Sequence, residues 1–142
     1  EKGLLNKDVV VVVRFQGPKA NGMPELHALT PILSNIQDLG FKVALLTDGR
    51  MSGASGKVPA AIHVIPEALD NGVIGKILDG DIIDIDAASG RIEVNETVAK
   101  RYIKVPSKYI KNNTFGRNLF SLLRRFLGKN KISSADKIHL QD

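Results

Sequence analysis

The sequence predicts a mixed α/β domain, and three observations carry that reading. Val9–Val13 is an uninterrupted β-branched run, the mark of a strand covered on both faces. Thr30-Pro31, followed by Leu33, Ile36 and Leu39, has the spacing of a helix with one apolar stripe. Ile82–Asp86 and Arg91–Val94 flank Ala87-Ala88-Ser89-Gly90 as two short strands flank a hairpin turn.

The first strand runs into Gln16–Gly22, a loop by its Gly, Pro and Asn content. Pro24 suits the first turn of a helix, with Glu25 beside it near the positive end of the dipole. Thr30-Pro31 is a second start signal, a cap followed by proline, and Gly40 stops the helix. Phe41–Leu46 is the next strand, and Thr47–Lys57 is a loop rich in Gly and Ser. Ala60–Ile65 fits a strand or a short helix, Pro66–Asn71 one or two helical turns closed by Gly72, and Ile74–Leu78 a strand. Asp79-Gly80-Asp81 is a turn. In Arg91–Val94 the apolar Ile92 and Val94 alternate with polar neighbours, the period of a strand with one wet face. Thr114 can cap a last helix in which Leu119, Phe120, Leu123, Phe126 and Leu127 share a face and Gly128 ends the run. A folded domain is therefore expected over residues 1–128 and a polar tail over 129–142. Short strands with tight turns late in the chain point to a closed or nearly closed sheet, although pattern alone does not choose between a barrel and an open sheet.

Composition narrows the function classes. The chain has 142 residues, 43% hydrophobic and 25% charged, enough for a core without disulfides or a structural metal. No apolar run approaches the roughly 20 residues of a membrane span, and the N-terminus has no signal-peptide pattern, so a cytoplasmic setting is expected. Starting at Glu1 without Met, the chain is read as cut from something longer. With no cysteine it cannot by itself build a disulfide, a thiol nucleophile or a thiolate-ligated cluster. His27, His63 and His139 fit no zinc spacing. The net charge of +5 is uneven: residues 1–99 hold 9 Lys+Arg against 13 Asp+Glu, and residues 100–142 hold 11 against 2. A basic tail can meet nucleic acid, but the chain lacks the basic–aromatic interleaving of an RNA-binding sheet. A face that docks on a neighbouring domain is the better reading, and neither a nucleic-acid nor a membrane partner is expected.

Two loops place polar residues directly after buried strands, where α/β proteins build sites. They are Arg14–Glu25 and Thr47–Lys57. The second is not a phosphate loop of the G-x-x-x-x-G-K-[ST] kind, because Met51 and Val58 stand where Gly and Ser or Thr are required. Nor is it a G-x-S-x-G elbow, since Ser52 lies three residues after Gly49. What the loop does offer is backbone N–H groups freed by Gly49, Gly53 and Gly56, with donors from Arg50, Ser52, Ser55 and Lys57. In the first loop Glu25 is a carboxylate suited to a hard cation such as Mg²⁺, or simply to a helix dipole.

The stretches V-V-R-F-Q-G-P-K-A-N-G-M-P-E-L-H, Val12–His27, and A-L-L-T-D-G-R-M-S-G-A-S-G-K-V-P-A-A-I-H-V-I-P-E-A, Ala44–Ala68, are highly specific. With the Asp79–Asp81 turn and the Phe115–Phe120 segment, they resemble the C-terminal domain of the dihydroxy-acid and phosphogluconate dehydratase family over essentially the whole chain. The match is nearer to the phosphogluconate branch. The other branch tends to read Y-E-G-P-K-G-G-P-G-M and G-R-F-S-G-G-S-H-G here.

The resemblance implies a β-barrel-like swivelling domain with flanking helices. It implies dehydration of 6-phospho-D-gluconate to 2-keto-3-deoxy-6-phosphogluconate in the Entner–Doudoroff pathway. An iron–sulfur cluster would act on the leaving hydroxyl, its cysteine ligands belonging to an N-terminal domain that is the partner of this one. On the same ground Glu25 is a Mg²⁺ ligand, Ser52 the base at C2, and Gly53 and Ser55 substrate-carboxylate contacts. Arg50 or the metal centre would stabilise a serine alkoxide, Lys57 is the candidate for the 6-phosphate, and Lys19 a substrate contact or a loop-ordering residue. The family is usually dimeric, so a homodimer is expected, and this chain alone is expected to be inactive. The alternatives are a dehydratase for another sugar acid or dihydroxy acid, a nucleic-acid-binding module, or an assembly domain that has lost catalysis.

Overall fold

The computed structural model describes residues 6–52 and 56–106. Gly53 and Ser55, the expected last helix, the Phe115–Phe120 segment and the polar tail lie outside the described residues.

The architecture is mixed α/β. Strand β1 (Val9–Val13), helix α1 (Thr30–Asp38) and strand β2 (Val43–Thr47) form a βαβ unit, and β1 pairs with β2 in parallel with Val9 opposite Val43 and Val13 opposite Thr47. The short β3 (Ala60–Ala61) adds parallel to the other side of β2, so the sheet order is β1-β2-β3. Strands β4 (Ile83–Asp86) and β5 (Arg91–Val94) make a separate antiparallel hairpin, and α2 (Glu96–Ala99) follows it. Among the described residues these two sheets do not close a barrel.

The valine run is explained by two cores, one on each face of the sheet. Val9, Val11 and Val13, with Val43 and Leu45, pack with Leu33 and Ile36 of α1, Met51 and Val58. Val10, Val12 and Leu46 point the other way, into a cluster of Phe15, Ala20, Ala68, Ile74, Ile77 and Val98. Side chains alternate across a strand, so a strand with apolar cover on both faces has no polar period. β1 is nevertheless only half-buried along its length. It is an edge strand, and it borders an open groove whose far wall is Ile77–Ile85.

Four expectations are corrected. Pro24 and Glu25 do not open a helix: Glu25 forms an isolated parallel bridge to Arg50, with the Leu26 N–H donating to the Arg50 carbonyl at 3.1 Å. A 3-10 turn covers His27–Leu29, and α1 begins only at Thr30. Thr30 does not cap it by side chain; its Oγ1 lies 3.5 Å from Met51 Sδ. Ile74–Leu78 is not a strand, because Val73–Lys76 coils into a 3-10 turn. Here Gly75 packs so closely that a Cβ would sit 2.7 Å from Ile103 Cδ1, and Arg14 Nη1 donates to the carbonyls of Gly75 and Ile77, both at 2.7 Å. Finally, the turn at Ala68–Asp70 is closed by Asn71 in the left-handed region (φ 64°), not by Gly72. Gly72 is required for a different reason: a Cβ there would fall 1.7 Å from the Pro66 carbonyl oxygen.

Candidate active site

Because β1 and β2 are parallel and in register, their C-terminal ends lie side by side, and the two polar loops leave the sheet together. Thr47, fully buried at the end of β2, donates from Oγ1 to the Val13 carbonyl at 2.6 Å and accepts from the Gly49 N–H at 2.9 Å. Asp48, 1% exposed, fastens the roots of both loops. Its Oδ2 accepts from the N–H groups of Phe15 (3.2 Å) and Ala68 (2.9 Å), and its Oδ1 from that of Gln16 (2.9 Å). Phe15 can therefore hold a left-handed conformation (φ 61°), uncommon for a bulky residue.

A second buried carboxylate shapes the turn that follows. Glu67 accepts from the Lys19 N–H at 3.0 Å and the Ala20 N–H at 3.1 Å. It lies so close under Gly17 that a Cβ there would meet its Oε2 at 2.3 Å. Burial pushes the Glu67 carboxyl above the ordinary glutamate range, partly offset by those two hydrogen bonds.

Beyond these anchors the loops meet at Glu25. Its Oε1 accepts from the Ser52 N–H at 2.8 Å and from the His27 N–H at 3.0 Å. Its Oε2 lies 4.0 Å from Arg50 Nη1, while Arg50 Nε donates to the Met23 carbonyl at 2.8 Å. The Ser52 N–H is the main cause, with the His27 N–H and the Arg50 charge adding to it, that holds the Glu25 carboxyl below its ordinary value. Ser52 Oγ stands 3.5 Å from His27 Nδ1. The structure thus gathers Glu25, Arg50 and Ser52, which the sequence singled out.

The two lysines are engaged elsewhere. Lys19 Nζ pairs with Asp70, and Lys57 Nζ with Asp38 at the surface. Asp48 and Glu67 were missed by sequence reasoning. The signal for Asp48 was present, since it is an acidic residue directly after a buried strand; Glu67 gave none, because its partners are backbone groups 47 and 48 residues away.

Glu25 suits a hard cation: it is ionised, its side chain is 36% exposed, and the two backbone donors bond Oε1 rather than Oε2. Among the described residues no group of three or more His, Asp or Glu is arranged to hold a metal, so Glu25 fits as one ligand of a set completed from outside them. No helix among them is long and apolar enough to cross a membrane.

Comparison with known proteins bears on the same two loops. The family described as dihydroxy-acid/6-phosphogluconate dehydratase C-terminal matches residues 1–131. A phosphogluconate dehydratase of Zymomonas mobilis is 56% identical over 131 residues, covering 89% of this chain and 21% of that protein. One of Rhizobium meliloti is 57% identical over 129 residues, with the same coverage of 89% and 21%. A dihydroxy-acid dehydratase of Ruminiclostridium cellulolyticum is 41% identical over 121 residues, covering 81% of this chain and 22% of its own. The chain spans about a fifth of the length of the curated relatives it matches.

Proposed function

The chain belongs to the dihydroxy-acid/6-phosphogluconate dehydratase family as a C-terminal domain, and from that premise we propose that it supplies half of the active site of a phosphogluconate dehydratase. The reaction proposed is loss of water from 6-phospho-D-gluconate to give 2-keto-3-deoxy-6-phosphogluconate, the dehydration step of the Entner–Doudoroff pathway. One observation carries the reading: the two motif loops converge so that the Glu25 carboxylate holds the backbone of Ser52. The higher identity to phosphogluconate dehydratases than to a dihydroxy-acid dehydratase favours this substrate branch.

The chemistry asks for two things. A proton α to a carboxylate is weakly acidic, so a base must take it while positive charge stabilises what is left. Ser52 Oγ is the proposed base at C2. A serine oxygen is a poor base unless positive charge stabilises its anionic form, and the Arg50 guanidinium beside Glu25 is the nearby cation of this chain. Glu25 Oε2 would hold Mg²⁺, which neutralises charge at the substrate when bound. An iron–sulfur cluster would supply Lewis acidity to the leaving C3 hydroxyl; lacking cysteine, this chain cannot provide its thiolates, so they belong to the rest of the enzyme. Gly53 and Ser55 would bind the substrate carboxylate. Lys57, and secondarily Lys19, would exchange a surface carboxylate for the substrate's anionic groups. The intact enzyme is proposed to be a cytoplasmic homodimer whose C-terminal domain has the barrel-like, swivelling form, with no nucleic-acid or membrane partner.

The test is anaerobic product formation from 6-phosphogluconate, with this chain alone and with the cluster-bearing remainder supplied. Turnover in the combined sample only is the expected result. Turnover by the chain alone would overturn the division of labour, and none in a sample with an intact cluster would move the substrate to another sugar acid.

A further inference from the structure

We infer that His27 is a positioning residue for Ser52, fixing the direction of the serine oxygen toward the substrate. The inference rests on the proposed role of Ser52 as the base and deepens it. Four observations carry it. His27 Nδ1 is 3.5 Å from Ser52 Oγ, a long contact of the kind that tightens when substrate closes a site. The two residues are 25 apart in sequence, yet the Glu25 Oε1 accepts both of their backbone N–H groups, so one atom sets their spacing. The Leu26 N–H bonded to the Arg50 carbonyl locks the register between the two short segments. Met51, 7% exposed, anchors the residue before Ser52 in the core.

A serine side chain has a free χ1 and a free hydroxyl rotor, and backbone anchoring alone leaves three staggered positions for Oγ. A ring nitrogen beside Oγ selects one of them. Whichever ring nitrogen carries the proton, the contact serves: as acceptor it draws the hydroxyl hydrogen away from the substrate side, and as donor it orients the lone pairs. Among the described residues no other side chain hydrogen-bonds to Ser52 Oγ. In sequence His27 fits no zinc spacing, and its position next to Leu26 in a specific motif carries no geometric information.

The test is made in the full-length, cluster-loaded enzyme with 6-phosphogluconate and its 2-deuterio form, comparing His27→Leu, His27→Asn and His27→Gln with Ser52→Ala. A misplaced reacting group costs about 10²-fold. His27→Leu is therefore expected to lower kcat by roughly that factor with KM changed less than about threefold, and to raise the deuterium isotope effect as C–H cleavage becomes limiting. His27→Asn, whose side-chain amide reaches the place of Nδ1, should recover most of kcat; His27→Gln, which reaches the place of Nε2, should not. If His27→Leu loses the cluster, the Asn and Gln variants still decide. Equal rates for those two, or an unchanged isotope effect in both, would overturn the inference. Ser52→Ala separates the two levels: turnover retained there removes the base assignment, whereas turnover lost there but kept in His27→Leu removes only the role of His27.

Discussion

Asp48 is the residue whose removal should most damage the platform under the two loops. Its three acceptor bonds all go to backbone N–H groups, two of them, from Phe15 and Ala68, buried. In Asp48→Ala the Gln16 N–H can turn to water, but the other two are orphaned at about 1–3 kcal/mol each. The expected loss is therefore about 2–6 kcal/mol, against a total of about 5–15 kcal/mol for an ordinary domain. In Asp48→Asn one oxygen remains and can keep both bonds made by Oδ2. The new amide then faces the Gln16 N–H, donor against donor, for an expected cost of about 1–3 kcal/mol. Urea titration followed by far-UV circular dichroism reads both: at a slope of about 1–3 kcal/mol per M, 3 kcal/mol moves the midpoint by about 1–3 M. Amide exchange at Phe15 and Ala68 gives the local readout. The reasoning is refuted if Asp48→Ala lies within about 1 kcal/mol of the parent, or if Asn costs as much as Ala.

Other perturbations test separate parts of the site. Glu25 has its folded-state pKa lowered, so it contributes stability that is present above the ordinary value of 4.5 and lost as pH falls through the lower folded value. Glu25→Gln should therefore lower thermal midpoints slightly near pH 7, remove the fall across that acid range, and meet the parent below the folded value. Glu67 has the opposite sign: its raised pKa gives stability present below 4.5 and lost as pH climbs through the raised folded value, so midpoints of Glu67→Gln should lack that fall. Gly17→Ala drives a Cβ to 2.3 Å from Glu67 Oε2 and should cost about 1–3 kcal/mol in chemical denaturation by forcing the carboxylate from the Lys19 and Ala20 N–H groups. Lys57→Ala removes only an exposed ion pair with Asp38 and should change stability by less than about 1 kcal/mol. If Lys57 takes the substrate phosphate, KM in the full-length enzyme should rise about 10- to 100-fold, the worth of one charge-assisted contact; an unchanged KM dismisses it.

What could be read from the sequence follows from where each element finds its partners. β1, α1 and the β4–β5 hairpin were legible because their own residues carry the period: a valine run, an i, i+3, i+6 stripe, and alternation around a turn. α2 was equally open, since Asn95 accepts from the Thr97 N–H as an ordinary cap, yet it was not anticipated. Ile74–Leu78 misled because isoleucine favours strands, while the deciding contacts come from Arg14, more than 60 residues earlier. Glu25 misled for the same reason. Proline at 24 obeys a local rule for helix starts, and the pairing with Arg50 overrides it from across the site. In the site itself, residue types named Glu25, Ser52 and Arg50, but only coordinates show that one carboxylate oxygen joins His27 to Ser52. The Lys57 assignment rested on a Lys standing where the other branch carries none, and such a difference does not say which carboxylate a flexible side chain meets.

The side-by-side departure of the two loops from β1 and β2 bears on how such domains can be recombined. Asp48 belongs to one loop by sequence and to the other by bonding, and Glu67 grips the first from a third segment. A chimera that grafts residues 14–25 from a homologue while keeping 47–68 must therefore preserve the backbone path at Phe15, Gln16, Lys19 and Ala20, whatever side chains it brings. Crossovers placed within β1 and again after Glu67 carry the whole assembly intact. The unit that must travel together is the bolted pair of loops, and single-loop transplants should lose stability first where Asp48 and Glu67 grip the backbone.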